Sequence, residues 1–150
     1  MRTSRKIAIL MILLCCAAHA RNENLAELRE RADNAHGGEQ AKLCMEYAHA
    51  ELEDANELFT KGDVEQAQAA VASVMEYVRK GAKAATSSGK RLKQTEIELR
   101  KLEHRMKDIG QSLNIDDRPP VLKNVDEIEQ IRAGLLTAMW GAQAEPKAKS

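Results

Sequence analysis

A seven-residue apolar repeat in the middle of the chain constrains the fold more than any other feature of the sequence. Its positions are all apolar: Val64, Val71, Val78, Ala85, Leu92, Leu99, Met106 and Leu113. A second seam, three residues further on, is apolar at both ends and small or polar between: Ala67, Val74, Gly81, Ser88, Thr95, Leu102 and Ile109. Such a repeat is typical of a helix packed lengthwise against other helices. Because its phase survives the helix-disfavouring residues 86–89, we predict one continuous helix.

The composition favours an all-helical fold. Aromatic residues make up 3% of the chain and charged residues 31%, and there are only three prolines. These values are typical of helical bundles, whereas sheets are rich in aromatic and β-branched residues. We therefore predict an all-α, elongated antiparallel bundle of three main helices at about 39–61, 63–113 and 119–140. The alternative is a four-helix bundle with a turn near residues 87–89.

The N-terminus predicts export. Three basic residues within 1–6 precede a short apolar stretch at 7–18, and Ala18-His19-Ala20 fits the cleavage pattern of a secretory signal peptide. The apolar stretch is too short to cross a bilayer, which takes roughly 20 residues. We predict a signal peptide at residues 1–20, cleavage after Ala20, and a periplasmic or secreted product with no transmembrane span.

The remaining sequence divides at glycines. Residues 21–38 predict a short polar helix that ends at a Gly37-Gly38 break, because paired glycines disfavour a helix interior. Residues 39–141 predict the bundle domain, and residues 142–150 a disordered tail. Within the domain, Gly62 suits the left-handed end of one helix, and Asp63 with Gln66 suits a capping box for the next.

The turn at Gly62 resembles one hairpin of a tetratricopeptide repeat, through Phe59, Gly62, Asp63 and Ala67. Such arrays repeat at about 34 residues, and Glu96 stands where the next Gly-Asp turn would fall. The resemblance therefore implies one repeat-like hairpin and not a superhelix. The whole chain also resembles exported all-helical proteins of bacteria, a resemblance that implies no activity.

Six basic residues form the candidate partner-binding site, and no acidic residue lies between Glu76 and Glu96. We call this set the basic belt: Arg79, Lys80, Lys83, Lys90, Arg91 and Lys93. One interpretation is a solvated face that pairs with acidic helices. The other is a site for an anionic partner, either an acidic protein or lipid headgroups. Nucleic acid is disfavoured, because no aromatic residue between Tyr77 and Trp140 could stack on bases.

The candidate sulfur and imidazole donors are Cys44, Met45, His49, His104 and Met106. They are too scattered to predict a metal site, and we predict no cofactor. Cys44 lies on an apolar stripe, so we predict that it is a small core residue, and the alternative is that it forms an intermolecular disulfide. No catalytic motif is present, so we predict that the chain is not an enzyme. We predict a structural or interaction protein of the cell envelope, with homo-oligomerisation open. The alternative is a periplasmic ligand- or metal-binding bundle of the sensor or chaperone type.

Export can be tested by intact mass. The exported form should begin at Arg21, because the basic, apolar and small-residue segments follow one another in the order that signal peptidase requires. An exported protein that still carries Met1 would contradict this prediction.

Overall fold

The computed structural model describes residues 24–141, and this part of the chain is all-helical, with five helices and no strand. The predicted all-α class is therefore confirmed. The signal peptide predicted at 1–20 and the tail predicted at 142–150 lie outside the described residues. The helices are α1 at 24–34, α2 at Gly37–Lys61, α3 at Val64–Ser88, α4 at Leu92–Ser112 and α5 at Arg118–Gly141.

The prediction of one helix over residues 63–113 is wrong, because the chain breaks between α3 and α4. Thr86 Oγ1 lies 3.0 Å from the carbonyl oxygen of Ala82, and Ser88 Oγ lies 2.7 Å from that of Ala84. Gly89 then adopts the left-handed conformation, with φ 65°. Hydroxyl groups that bond to helix carbonyls weaken the helix, and a left-handed glycine ends it. The turn follows at the place that the four-helix alternative expected.

Helices α2 and α3 form a closely packed antiparallel pair. Gly37 at the start of α2 lies beside Ser88 at the end of α3, and the rings of Tyr47 and Tyr77 are 4.2 Å apart. A Cβ atom on Gly81 would come within 2.9 Å of the Cβ atom of Cys44, so the helices approach through small residues. On α3, the small residues Gly81, Ala82, Ala84 and Ala85 are buried.

Helix α4 reverses direction and runs parallel to α2. Gly38 lies against the side chain of Arg91 near one end of this pair, and Glu53 forms two hydrogen bonds of 2.7 Å with Arg105 further along. Helix α5 then runs antiparallel to α4, since Gly110 packs against Leu122. Among the described helices, α2 and α5 make no close backbone contact, so they lie at opposite corners of the bundle.

Buried residues confirm most of the apolar repeat even though the helix is not continuous. Val71, Val78 and Ala85 of α3 are at most 3% exposed, and Leu99 and Met106 of α4 are fully buried. The period of the pattern therefore identified the core face of each helix correctly. It gave no information about the turn, because two amphipathic helices can share one phase.

Predicted helix boundaries agree with the structure to within two residues at most other ends. Gly62 is left-handed, with φ 85°, as expected. Asp63 stands at the N-cap of α3, but its side chain makes no capping hydrogen bond, so the predicted capping box is absent. The expected break at Gly37-Gly38 falls instead at residues 35–36, and both glycines belong to α2.

Core truncation should destabilise the bundle strongly. Leu102 is fully buried on α4. Leu102→Ala should lower the free energy of unfolding by about 2–4 kcal/mol, because it removes apolar contacts and leaves a cavity. The exposed Lys93→Ala should change it by less than about 0.5 kcal/mol. Urea unfolding of both variants measures the difference, and a small effect at Leu102 would contradict the described core.

Candidate interaction surface

Two members of the basic belt hold helices together. Arg79 of α3 donates two hydrogen bonds, of 2.6 and 3.0 Å, to the Glu127 carboxylate on α5. These hydrogen bonds hold the pKa of Glu127 below its usual range. Lys80 forms an ion pair with Asp33 of α1. Both residues therefore match the interpretation in which the belt pairs with acidic helices.

The other four members are exposed and have no such partner. We call them the basic end: Lys83, Lys90, Arg91 and Lys93. Within residues 24–141, no carboxylate oxygen lies within 4.0 Å of their charged groups, whereas many other basic residues of the bundle are paired. The structure therefore divides the belt into a paired part and an unpaired part.

The turn between α3 and α4 concentrates positive charge at one end of the bundle. Lys90, Arg91 and Lys93 surround the N-terminus of α4, and the first turn of this helix contains no acidic residue. The N-terminus of a helix already carries a partial positive charge, so cations there are electrostatically unfavourable. The nearby carboxylates of Glu39 and Asp33 each face a lysine.

Arg91 is an unusual residue for its position. It adopts the left-handed conformation, with φ 62°, and it is the N-cap of α4 without a capping side-chain hydrogen bond. A non-glycine residue in this conformation costs about 1–2 kcal/mol, and Ser, Thr, Asp and Asn are preferred as N-caps. Its side-chain stem lies over Gly38 of α2. Local stability thus disfavours arginine here, which is typical of residues kept for function.

A shallow groove of about 470 Å³ adjoins the basic end on the α2–α3 side. Both Lys80 and Lys83 line it, together with Gly37 and Gln40 of α2 and the serines at the end of α3. Several of its donors are already engaged, since Lys80 pairs with Asp33 and Gln40 donates to the carbonyl oxygen of Ala32. Lys83 is the cation that the groove leaves available to an anionic group. Its lining contains no acidic side chain.

The buried acid of the bundle is neutralised by arginines. Glu96 is 4% exposed and accepts hydrogen bonds of 2.7 Å from Arg100 and 2.8 Å from Arg132. These bonds, that from Arg100 above all, hold the pKa of Glu96 below its usual range. Glu96 therefore remains ionised and acts as a structural group. The sequence analysis did not single it out, although the Glu96–Arg100 spacing is visible; the contact with Arg132 is not.

A second polar cluster, also missed from the sequence, fastens α1 to α3. Tyr77 Oη donates a 2.7 Å hydrogen bond to Asp33 and accepts one of 3.1 Å from Arg29. Burial and the bond to Asp33 raise the pKa of Tyr77 to about 12. Ala32 of α1 is fully buried beside this cluster. These contacts attach a short helix that would not be stable alone.

The candidate metal donors do not share one site. Cys44 is fully buried and unpaired between α2 and α3, and burial raises its pKa to about 11, so it is a protonated core residue. His49 Nε2 faces α4, 3.2 Å from Glu98 Oε2 but without hydrogen-bond geometry. Met106 is in the core and His104 is exposed. In residues 24–141 no three His, Cys, Asp or Glu side chains form a group that could hold a metal ion.

None of the helices described between residues 24 and 141 is both long enough and apolar enough to cross a bilayer. Comparison with protein-family models, curated proteins and solved structures found no match.

Replacement of Arg91 by glycine should stabilise the fold. Arg91→Gly removes the left-handed strain and one cation from a helix N-terminus, and we expect about 1 kcal/mol more stability than in Arg91→Ala. Arg91→Ala is the matched control, because it removes the same charge and stem but keeps a Cβ atom. Thermal or urea unfolding of both variants measures the difference. Equal stability would show that residue 91 is not strained.

Proposed function

We propose that this chain is an exported, non-enzymatic interaction protein of the cell envelope that binds an anionic partner through the basic end. The observation that carries the proposal is the contrast within the basic belt. Arg79 and Lys80 are used in helix packing, whereas Lys83, Lys90, Arg91 and Lys93 have no carboxylate partner in residues 24–141. Pairing with acidic helices therefore accounts for only two of the six residues of the basic belt.

The charge distribution supports oriented binding. Loss of the predicted signal peptide would remove three basic residues from a chain of 23 basic and 23 acidic residues, which leaves a net charge of −3. A protein with net negative charge has no general attraction to anions. Attraction would have to come from a local cluster of cations, and the basic end is such a cluster, so an anionic partner would meet the bundle end-on, with its helices directed away from the contact.

Two buried titratable groups are unavailable for catalysis. Glu96 is neutralised by two arginines, and the Cys44 thiol is protonated and inaccessible. A general acid or base needs access to substrate and a pKa near the working pH, and a cysteine nucleophile needs a thiolate. Neither of these groups meets its requirement.

The alternative function, a ligand- or metal-binding bundle, has one observation in its favour. A groove of about 270 Å³ between α2 and α4 is lined by Met45, His49 and Glu98. Glu46 also lines this groove, but within residues 24–141 no three His, Cys, Asp or Glu side chains come together as a metal site would require. The unpaired cations of the basic end therefore support the interaction function better.

Capture from envelope extracts tests the proposal. The immobilised protein should retain an anionic component that salt elutes, and Lys90→Glu/Lys93→Glu should lose it, because charge reversal replaces attraction by repulsion. The matched control is Lys107→Glu/Lys123→Glu, which changes the net charge equally on exposed parts of α4 and α5 further from the turn. Equal capture by all three proteins, or no capture by any, would contradict the proposal.

A further inference from the structure

Helix α5 ends in exposed apolar side chains. Trp140 is 74% exposed and Leu136, one turn earlier, is 40% exposed. The preceding Leu135 is fully packed, at 1% exposure. Large exposed apolar residues are informative when they lie together at one place. Here they occupy the last two turns of a helix whose other large residues face the core.

The end of α5 lies level with the basic end. Helices α3 and α5 run parallel, because Arg79 pairs with Glu127 while Ala72 and Pro120 line one groove. The same offset brings Leu136 level with Ser88, the last residue of α3, so Trp140 lies one helical turn beyond the end of α3. Helices α4 and α5 are antiparallel, and Gly110 of α4 lies against Val121 of α5. Moving the same number of residues back along α4 and forward along α5 brings Trp140 level with Arg91. Two independent registers thus place the tryptophan at the height of the α3–α4 turn.

Acidic residues are scarce on this side. None occurs between Glu76 and Glu96, and none follows Glu129 up to Gly141. The end of the bundle thus combines an exposed tryptophan and four unpaired cations, and its nearby acids, Glu39 and Asp33, each pair with a lysine. Tryptophan favours the boundary between lipid headgroups and acyl chains, where its ring is buried and its N–H stays hydrated. Lysine and arginine favour the anionic headgroups at the same depth.

This combination suits a membrane surface better than an acidic protein. Lysine side chains at a helix end can extend to headgroups while their stems cover apolar surface. Trp140 lines neither the α2–α3 groove nor the α2–α4 groove described above, and its side chain is 74% exposed. A bilayer interface needs no cleft, since the exposed ring inserts into it.

We propose that the anionic partner is the surface of a membrane rich in anionic lipids, which the basic end and the end of α5 bind together, with Trp140 at headgroup depth. This inference rests on the proposed function and names the partner. The bundle would stand end-on to the membrane without crossing it. Lys90 and Lys93 would supply electrostatic attraction, and Trp140 and Leu136 the apolar insertion.

The chain contains a single tryptophan, so Trp140 itself reports the contact. The protein is used as recovered from expressing cells, with its N-terminus defined by intact mass, and all variants are made in the same form. We expect phosphatidylglycerol-containing vesicles to shift the Trp140 emission to the blue and brominated acyl chains to quench it. Pure phosphatidylcholine vesicles should do neither.

Sedimentation with the same vesicles measures the contribution of each group. Lys90→Ala/Lys93→Ala should lower the partition coefficient about 30-fold, because each lysine near an anionic surface contributes about fivefold. Lys107→Ala/Lys123→Ala, which removes the same charge elsewhere, should bind as the wild type does. Trp140→Ala should bind several-fold more weakly. Circular dichroism of every variant establishes that the helices are intact.

Three outcomes would overturn the inference. They are absence of binding to anionic vesicles, equal loss in the two lysine variants, and binding without any change in Trp140 emission. The protein could fail to bind anionic vesicles while capture from envelope extracts still depends on Lys90 and Lys93 and recovers an acidic protein. In that case the membrane inference is wrong and the proposed function stands. If both assays fail, the proposed function is wrong as well.

Discussion

The end of α3 at Ser88 and Gly89 is the constraint on which the rest of the structure depends. Hydroxyl groups of Thr86 and Ser88 bond to carbonyls of the last turn, and Gly89 takes a conformation that few other residues tolerate. Because α4 turns back there, it can pack along α2 and receive α5. The same reversal moves Lys90 from the side of a predicted long helix to the end of a bundle.

Charged residues have two distinct functions in this bundle. Where a charge is removed from water, an opposite charge compensates for it, as with Glu96 between Arg100 and Arg132. Arg79 with Glu127, and Lys80 with Asp33, also link neighbouring helices, but these pairs are more exposed, so each contributes less. At the basic end the charges are neither buried nor paired, and Arg91 adds backbone strain. Stability gives no reason for this arrangement, whereas the proposed binding to an anionic surface would account for it.

Only part of the candidate site was accessible from the sequence. The run without acids identified all four cations of the basic end, because charge composition is a local property. It also included Arg79 and Lys80, whose partners Glu127 and Asp33 are more than forty residues away in the chain. Trp140 was not part of the site that the sequence predicted. Its position beside the basic end depends on the registers of α5 with α3 and α4, which no local pattern contains.

The sequence alone determined the helical class, the core faces and the main helix boundaries, since apolar periodicity and glycine conformation act over a few residues. Val71, Leu99 and Met106 are buried as the seven-residue repeat requires. Tertiary structure decided the number of helices and which charges are paired. From the local sequence, residues 86–89 are compatible with a bent helix or a turn. The burial of α4 against α2 and α5 favours the turn, and that burial becomes visible only when all the helices are packed.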